Sequence, residues 1–256
     1  MGTERIILEW KYEPPDFFEA PCTIEIQDYN ISINNGIATA IISPEFYDSR
    51  EDLRNEFHEK IIDRFLGVQC INFKKFNITK PTIMHRLYSD GRKDITIFSE
   101  PFEVRVTMSA SFKTMITDKN GNILTDTKSE KIKLESHIAK LSAKYRRYDP
   151  VANSILKSFN AAVNDPDNEF VYLYEIIESL SGRFENEKGL RDALGVSKTY
   201  IGKLRKLANA EPVTQGRHRG KSPGQLRTAT ITEKMKAREI AGKLIQLYLE
   251  HLDQNT

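Results

Sequence analysis

Eight bases crowd the stretch from Lys198 to Arg227: Lys198, Lys203, Arg205, Lys206, Arg217, Arg219, Lys221 and Arg227, against the single acid Glu211. The formal net charge of the 256-residue chain is only +2, too small to indicate a partner, so the local excess is the informative quantity. Clustered lysine and arginine neutralise phosphates and gain affinity by releasing counterions. Within the stretch, Gly216-Arg217-His218-Arg219-Gly220-Lys221-Ser222 combines flexible glycines with dense donors, and arginine suits two-pronged phosphate contact. Two readings fit: a surface for nucleic acid or another polyanion, or a solvated loop balanced by acids elsewhere in the fold.

The residues just before that loop have helix-turn-helix spacing. Leu190, Leu194, Val196, Ile201 and Leu204 fall where the two helices need apolar contacts, Gly195 falls at the tight turn, and Ser197 can cap the second helix. Lys198, Thr199, Tyr200, Lys203 and Lys206 would then face a groove. Arg191 stands where a small residue normally lets the helices cross closely. A plain helical hairpin inside a larger bundle fits the same pattern.

Other chemistry finds less footing. Gly216 to Ser222 reads G-x-x-x-G-K-S, one residue short of a phosphate loop, and it lies among helices rather than after a strand. His58, His85, His137, His218 and His251 include no pair at metal-ligand spacing on one helix, and HExxH, CxxC and Gly-x-Ser-x-Gly patterns are absent. His58, on an amphipathic stretch, reads as a surface or interface residue. Cys22 and Cys70 are too few for a disulfide framework and read as buried free thiols. No metal or other cofactor is expected.

These groups must be positioned by two kinds of element. Arg5 to Tyr12, Thr23 to Asp28 and Ile37 to Ile42 read as short strands, with a tight turn at Asn34-Asn35-Gly36. Gln69 to Ile78, Thr82 to Tyr88 and Asp94 to Phe98 read similarly. Strict alternation of Phe102, Val104, Val106, Met108, Ala110 and Phe112 predicts a long strand, and Asn120-Gly121 a hairpin. One helix interrupts, its stripe formed by Leu53, Phe57, Ile61 and Phe65, with Ser49 as its cap. From about Ser129 the period becomes helical: Leu134, Ile138, Leu141 and Tyr145, then a start at Asp149-Pro150, a helix around Phe170 to Phe184, two short helices near Glu187–Leu194 and Lys198–Ala208, and a last helix from near Thr232 carrying Met235, Ala241, Leu244, Tyr248 and Leu252. The prediction is an α+β chain: a β-rich domain over residues 1–148, then a helical bundle of about five helices over 149–256. Met1 to Tyr12 contains acids and no long apolar run, and no segment approaches the roughly 18 apolar residues of a membrane span. A cytoplasmic location without membrane contact is therefore expected.

Several features recur in order through the helical half: Phe170-Val-Tyr-Leu-Tyr-Glu-Ile-Ile-Glu178 with paired acids on an aromatic-rich face, Leu204-Arg-Lys-Leu-Ala-Asn209, Gly216-Arg-His-Arg-Gly220, and a long closing helix to Tyr248 and Leu249. Residues 150 to 253 thereby resemble the HEPN superfamily of bacterial helical domains, in particular a branch found beside defence and mobile-element genes. Many members are metal-independent ribonucleases that use an arginine, a polar residue and a histidine from two subunits of a dimer; others are binding or dimerisation modules. The resemblance implies Arg205, Asn209 and His218 as catalytic elements, although His218 lies beyond the usual short spacing and on a loop. It also implies a homodimer formed through the helical domain and a role in defence against foreign genetic elements. Lys198, Lys203, Lys206, Arg217, Arg219, Lys221 and Arg227 would hold RNA or DNA, and the β-rich domain would bind a partner protein. A helix-turn-helix DNA-binding regulator and a non-catalytic adaptor are the alternatives.

Overall fold

The computed structural model describes residues 3–81, 83–98, 115–117, 123–221 and 224–255. An antiparallel sheet forms first and helices follow, giving the expected α+β layout. By contacts the chain divides into two units, Met1–Ile62 with Phe76–Ser136 and Asp63–Lys75 with His137–Thr256. No described helix is long and apolar enough to cross a membrane.

In the first unit, β1 (Thr3–Glu13), β2 (Cys22–Ile26), β3 (Tyr29–Asn34), β4 (Ile37–Ile42), β6 (Ile83–Tyr88) and β7 (Lys93–Ile97) line up in the order β2-β3-β4-β1-β6-β7, with the short β5 (Asn77–Ile78) paired to the end of β1. The period-2 alternation of β1 separates its faces. Ile6, Leu8 and Trp10 are fully buried, while Arg5, Glu9 and Lys11, on the opposite face, are exposed. Ile42, Ala40 and Ala38 stand opposite the buried trio, and Tyr29, Ile31 and Ile33 stand opposite those. Each large side chain buried this way contributes ~1.5–3 kcal/mol of transfer free energy. Asn35 and Gly36, at φ 48° and 86°, make the predicted tight turn between β3 and β4.

Two local expectations change here. Ser49 closes a short helix, α1 (Pro44–Asp48), instead of starting the next one. α2 (Leu53–Asn72) starts after Asp52, whose carbonyl accepts from the Glu56 N–H at 3.0 Å. α2 also runs through Gln69–Asn72, a segment that reads as strand in the sequence. Phe65 to Cys70 are buried on every side, so the apolar run there carries no helical period to recognise. The alternating segment Phe102 to Phe112 and the turn at Asn120-Gly121 lie outside the described residues. β8 (Met115–Thr117) and β9 (Ile123–Asp126) pair antiparallel.

The second unit takes the end of α2, the last turns of α3 (Thr127–Tyr145), and α4 (Pro150–Asn164), α5 (Glu169–Arg183), α6 (Glu187–Leu194), α7 (Lys198–Asn209) and α8 (Ile231–Gln254). Asp149 caps α4 through the Ala152 N–H at 2.7 Å and also accepts from the Tyr248 hydroxyl of α8 at 3.1 Å. Burial pushes that hydroxyl up to about 12. Thr230 and Glu233 form a reciprocal capping box at the start of α8. α5 is the central helix, packing against α4, α6, α7 and α8. Phe170, Leu173, Ile176, Ile177 and Leu180 are buried along it. Of the predicted α8 stripe, Ala241, Leu244 and Tyr248 are buried, whereas Met235 is 62% exposed. Gly242 lets α8 pass over the end of α2: a Cβ there would stand 2.2 Å from the Cys70 carbonyl oxygen. Cys70 is buried and Cys22 partly exposed. Burial raises the Cys70 thiol well above the usual range.

Candidate nucleic-acid interface

α6 is short because both of its ends are specified locally. Asn186 accepts from the Gly189 N–H at 2.9 Å to start it, and Gly195 stops it in the left-handed region at φ 64°. Two residues later the Ser197 side chain accepts from the Tyr200 N–H at 3.1 Å and starts α7. Three residues thus separate the helices. Leu190, Leu194, Ile201 and Leu204 are buried as the spacing predicts, and Val196 is half-buried. α5 packs on both helices. Arg191 is half-buried with its Nε 3.9 Å from a Glu187 oxygen, and Arg205 of α7 pairs with the same carboxylate. The triad bridges α6 to α7.

On α7, Lys198, Thr199, Lys203 and Lys206 are exposed. Thr199, Lys203 and Lys206 share one face at helical spacing, and a side chain built at Gly202 would meet nothing within 4 Å. Lys206 reaches Glu211 at 2.9 Å but remains 71% exposed. Lys198 and Lys203 have no ion-pair partner among the described residues. Tyr200 is half-buried beneath the Lys236 ammonium, 5.7 Å from its ring centre, and burial raises its hydroxyl.

The basic loop after α7 is largely tied down. The Arg217 guanidinium donates to Glu178 at 2.6 Å and lies over the Tyr174 ring, and its backbone N–H donates to the Ala208 carbonyl at 2.7 Å. Arg219 donates to the Gly216 and Asp167 carbonyls, each at 3.0 Å, and to the Asn168 side chain. Arg227 grips Glu233 with two bonds of 2.7 Å and reaches Glu211 at 3.4 Å. Its backbone pairs with Pro212 and Thr214, while buried Gln215 accepts from the Ala229 N–H at 3.0 Å. The Arg227 guanidinium, helped by the cap, holds the Glu233 carboxyl down to about 2. Within the described residues this leaves Lys198, Lys203 and Lys221 as the bases of the stretch without a protein partner; Ser222 lies outside them.

The residues that the family resemblance nominates for catalysis are distributed as follows. Arg205 is committed to Glu187. Asn209 is half-buried at the end of α7, and His218 is exposed on the loop. The bond from the Arg217 N–H to Ala208 brings their backbone segments together, but the His218 ring has no described hydrogen-bond partner to orient it. The acids of the aromatic helix are occupied as well: Glu178 by Arg217, and Glu175 by the Ser158 hydroxyl at 3.0 Å. Among the described residues, no cluster of histidine, cysteine or carboxylates fits a metal ion.

Sequence reading overlooks one feature. A cleft of about 890 Å³ opens beside the α6–α7 turn, bounded by the end of α2, α4 and α8. Its lining comes from segments more than a hundred residues apart, so no local pattern announces it. No known protein family, curated protein or solved structure matches this chain.

Proposed function

We propose that the helical unit is a nucleic-acid-binding module of the helix-turn-helix class, with α7 as the helix that enters the major groove of duplex DNA. The observation that carries this reading is the exposed face of α7, where Lys198 and Lys203 carry charge that no described acid balances, on a hairpin whose turn and cap are both locally specified. Lys198, Lys203 and Lys206 supply phosphate contacts, with Lys221 extending the footprint, and Thr199, on the exposed face with Lys203, is placed for base edges. Arg217, Arg219 and Arg227 act as internal ties that hold the neighbouring loop.

The test is fluorescence anisotropy of the full chain with labelled duplex DNA and single-stranded RNA at several salt concentrations, without metal. Duplex binding should weaken with salt. The Lys198→Gln/Lys203→Gln variant should bind less tightly and lose about two from the salt slope, since each phosphate contact contributes about 0.9. A slope and affinity unchanged by the double substitution would remove α7 from the interface. Metal-independent RNA cleavage abolished by His218→Ala would replace this reading with a ribonuclease.

A further inference from the structure

We propose that the cleft beside the α6–α7 turn is an effector site for a small amphipathic anion: a flat apolar body carrying one carboxylate or sulfonate. Its occupancy would set the pose of α7, an effect that rests on the nucleic-acid reading of that helix. The volume, about 890 Å³, is that of a site for a drug-sized ligand. Phe73, Phe159, Leu194 and Val196 line it with apolar surface, suited to a flat hydrophobic body.

The charges at its rim decide the sign of the ligand. The Arg238 guanidinium is held by Glu169 and stacked over Phe73. Glu239 is held by Lys236 at 2.8 and 2.9 Å. Lys243 is exposed and has no described acid beside it, so the uncompensated charge is positive. Gln246, three residues along α8 from Lys243 and so on the same face, also lines the cleft and adds an amide N–H donor. A carboxylate or sulfonate oxygen answers both the amide and the ammonium.

The position of the cleft gives it a consequence. Gly195, Val196, Ser197 and Tyr200 line it too, and these residues form the turn and the first turn of α7. An occupant therefore presses on the elements that aim Lys198 and Lys203. Linkage makes the effect reciprocal: whatever factor the anion applies to DNA affinity, DNA applies to the anion.

8-Anilinonaphthalene-1-sulfonate has the required chemistry and is the probe. Titrated into the full chain without DNA, it should give saturable fluorescence at one site. Lys243→Gln should weaken binding about tenfold, the effect of losing one charge-assisted hydrogen bond, and Met235→Trp, at an exposed lining position, should block the site. Circular dichroism melts of both variants should match the parent. Absent binding, or binding indifferent to both substitutions, overturns the site. The second arm repeats the DNA titration with the site saturated; a severalfold change in DNA affinity is expected, and an unchanged affinity overturns the effector role. If no DNA binds under any condition, the reading of α7 has failed while the first arm still judges the site.

Discussion

Arg238 holds Glu169 through two parallel bonds of 2.7 and 2.8 Å, with the carboxylate fully buried and the guanidinium one-third exposed. The arginine also lies 4.0 Å over the ring of Phe73, so one side chain joins α8 to α5 and to the segment after α2. A buried carboxylate left without its partner is expensive, because it keeps its desolvation cost and loses its compensation. Arg238→Met should therefore destabilise the helical unit by about 3 kcal/mol in urea unfolding. Adding Glu169→Leu should recover part of that loss, since it removes the stranded charge; a double variant no better than the single would show that packing over Phe73, rather than charge, is the larger contribution.

The arginines of the basic loop and the lysines of α7 should separate in their effects. Arg219→Ala removes hydrogen bonds to Gly216, Asp167 and Asn168 and should cost about 1 kcal/mol of stability with little change in nucleic-acid affinity. Lys203→Gln, on an exposed face, should leave stability within about 0.5 kcal/mol and weaken binding. Paired unfolding and anisotropy measurements on the two variants check this. The reverse pattern would move the interface from the helix to the loop.

Gly195 sits at φ 64° between α6 and α7. A side chain in that left-handed conformation costs about 1 kcal/mol, although no neighbour stands in its way. Gly195→Ala should lower stability by that amount, whereas Gly195→Asn should be milder, because asparagine tolerates the region. Denaturant midpoints of the two variants decide it. Equal losses would point to a turn that rearranges.

Glu233 gives the start of α8 a pH dependence. Its carboxyl is lowered from 4.5 to about 2, first by the Arg227 guanidinium and then by the Thr230 N–H. A group lowered on folding stabilises fully above its unfolded value and loses that contribution as pH falls through the folded one. Melting temperatures should therefore fall between pH 4.5 and 2 by more in the parent chain than in Glu233→Gln. Parallel curves would place the acid sensitivity in other carboxylates.

Gly242→Ala tests the passage of α8 over the end of α2. The added methyl would meet the Cys70 carbonyl at 2.2 Å, and backbone must shift to admit it. A loss of about 1–3 kcal/mol is expected, the usual range for overpacking, read by urea unfolding.

Much of the fold is local physics and is therefore legible in the sequence. Asp149-Pro150 starts α4, Ser197 starts α7, Gly195 ends α6, and Asn35-Gly36 turns β3 into β4, because caps and positive-φ residues act through bonds within a few positions. The burial of Leu190, Leu194, Ile201 and Leu204 follows from helical period alone. Tertiary structure alone decides which bases remain available. Composition presents the run from Lys198 to Arg227 as one basic patch, but Glu178 and Glu187 lie on other helices, and packing brings them to Arg217 and Arg205. Charge compensation depends on distance in space, which sequence spacing does not report. The same reason hid the cleft, whose lining joins Phe73, Phe159, Val196 and Lys243 from four separate segments, and hid the helical end of α2, whose burial on every side erased the periodicity by which a helix is recognised.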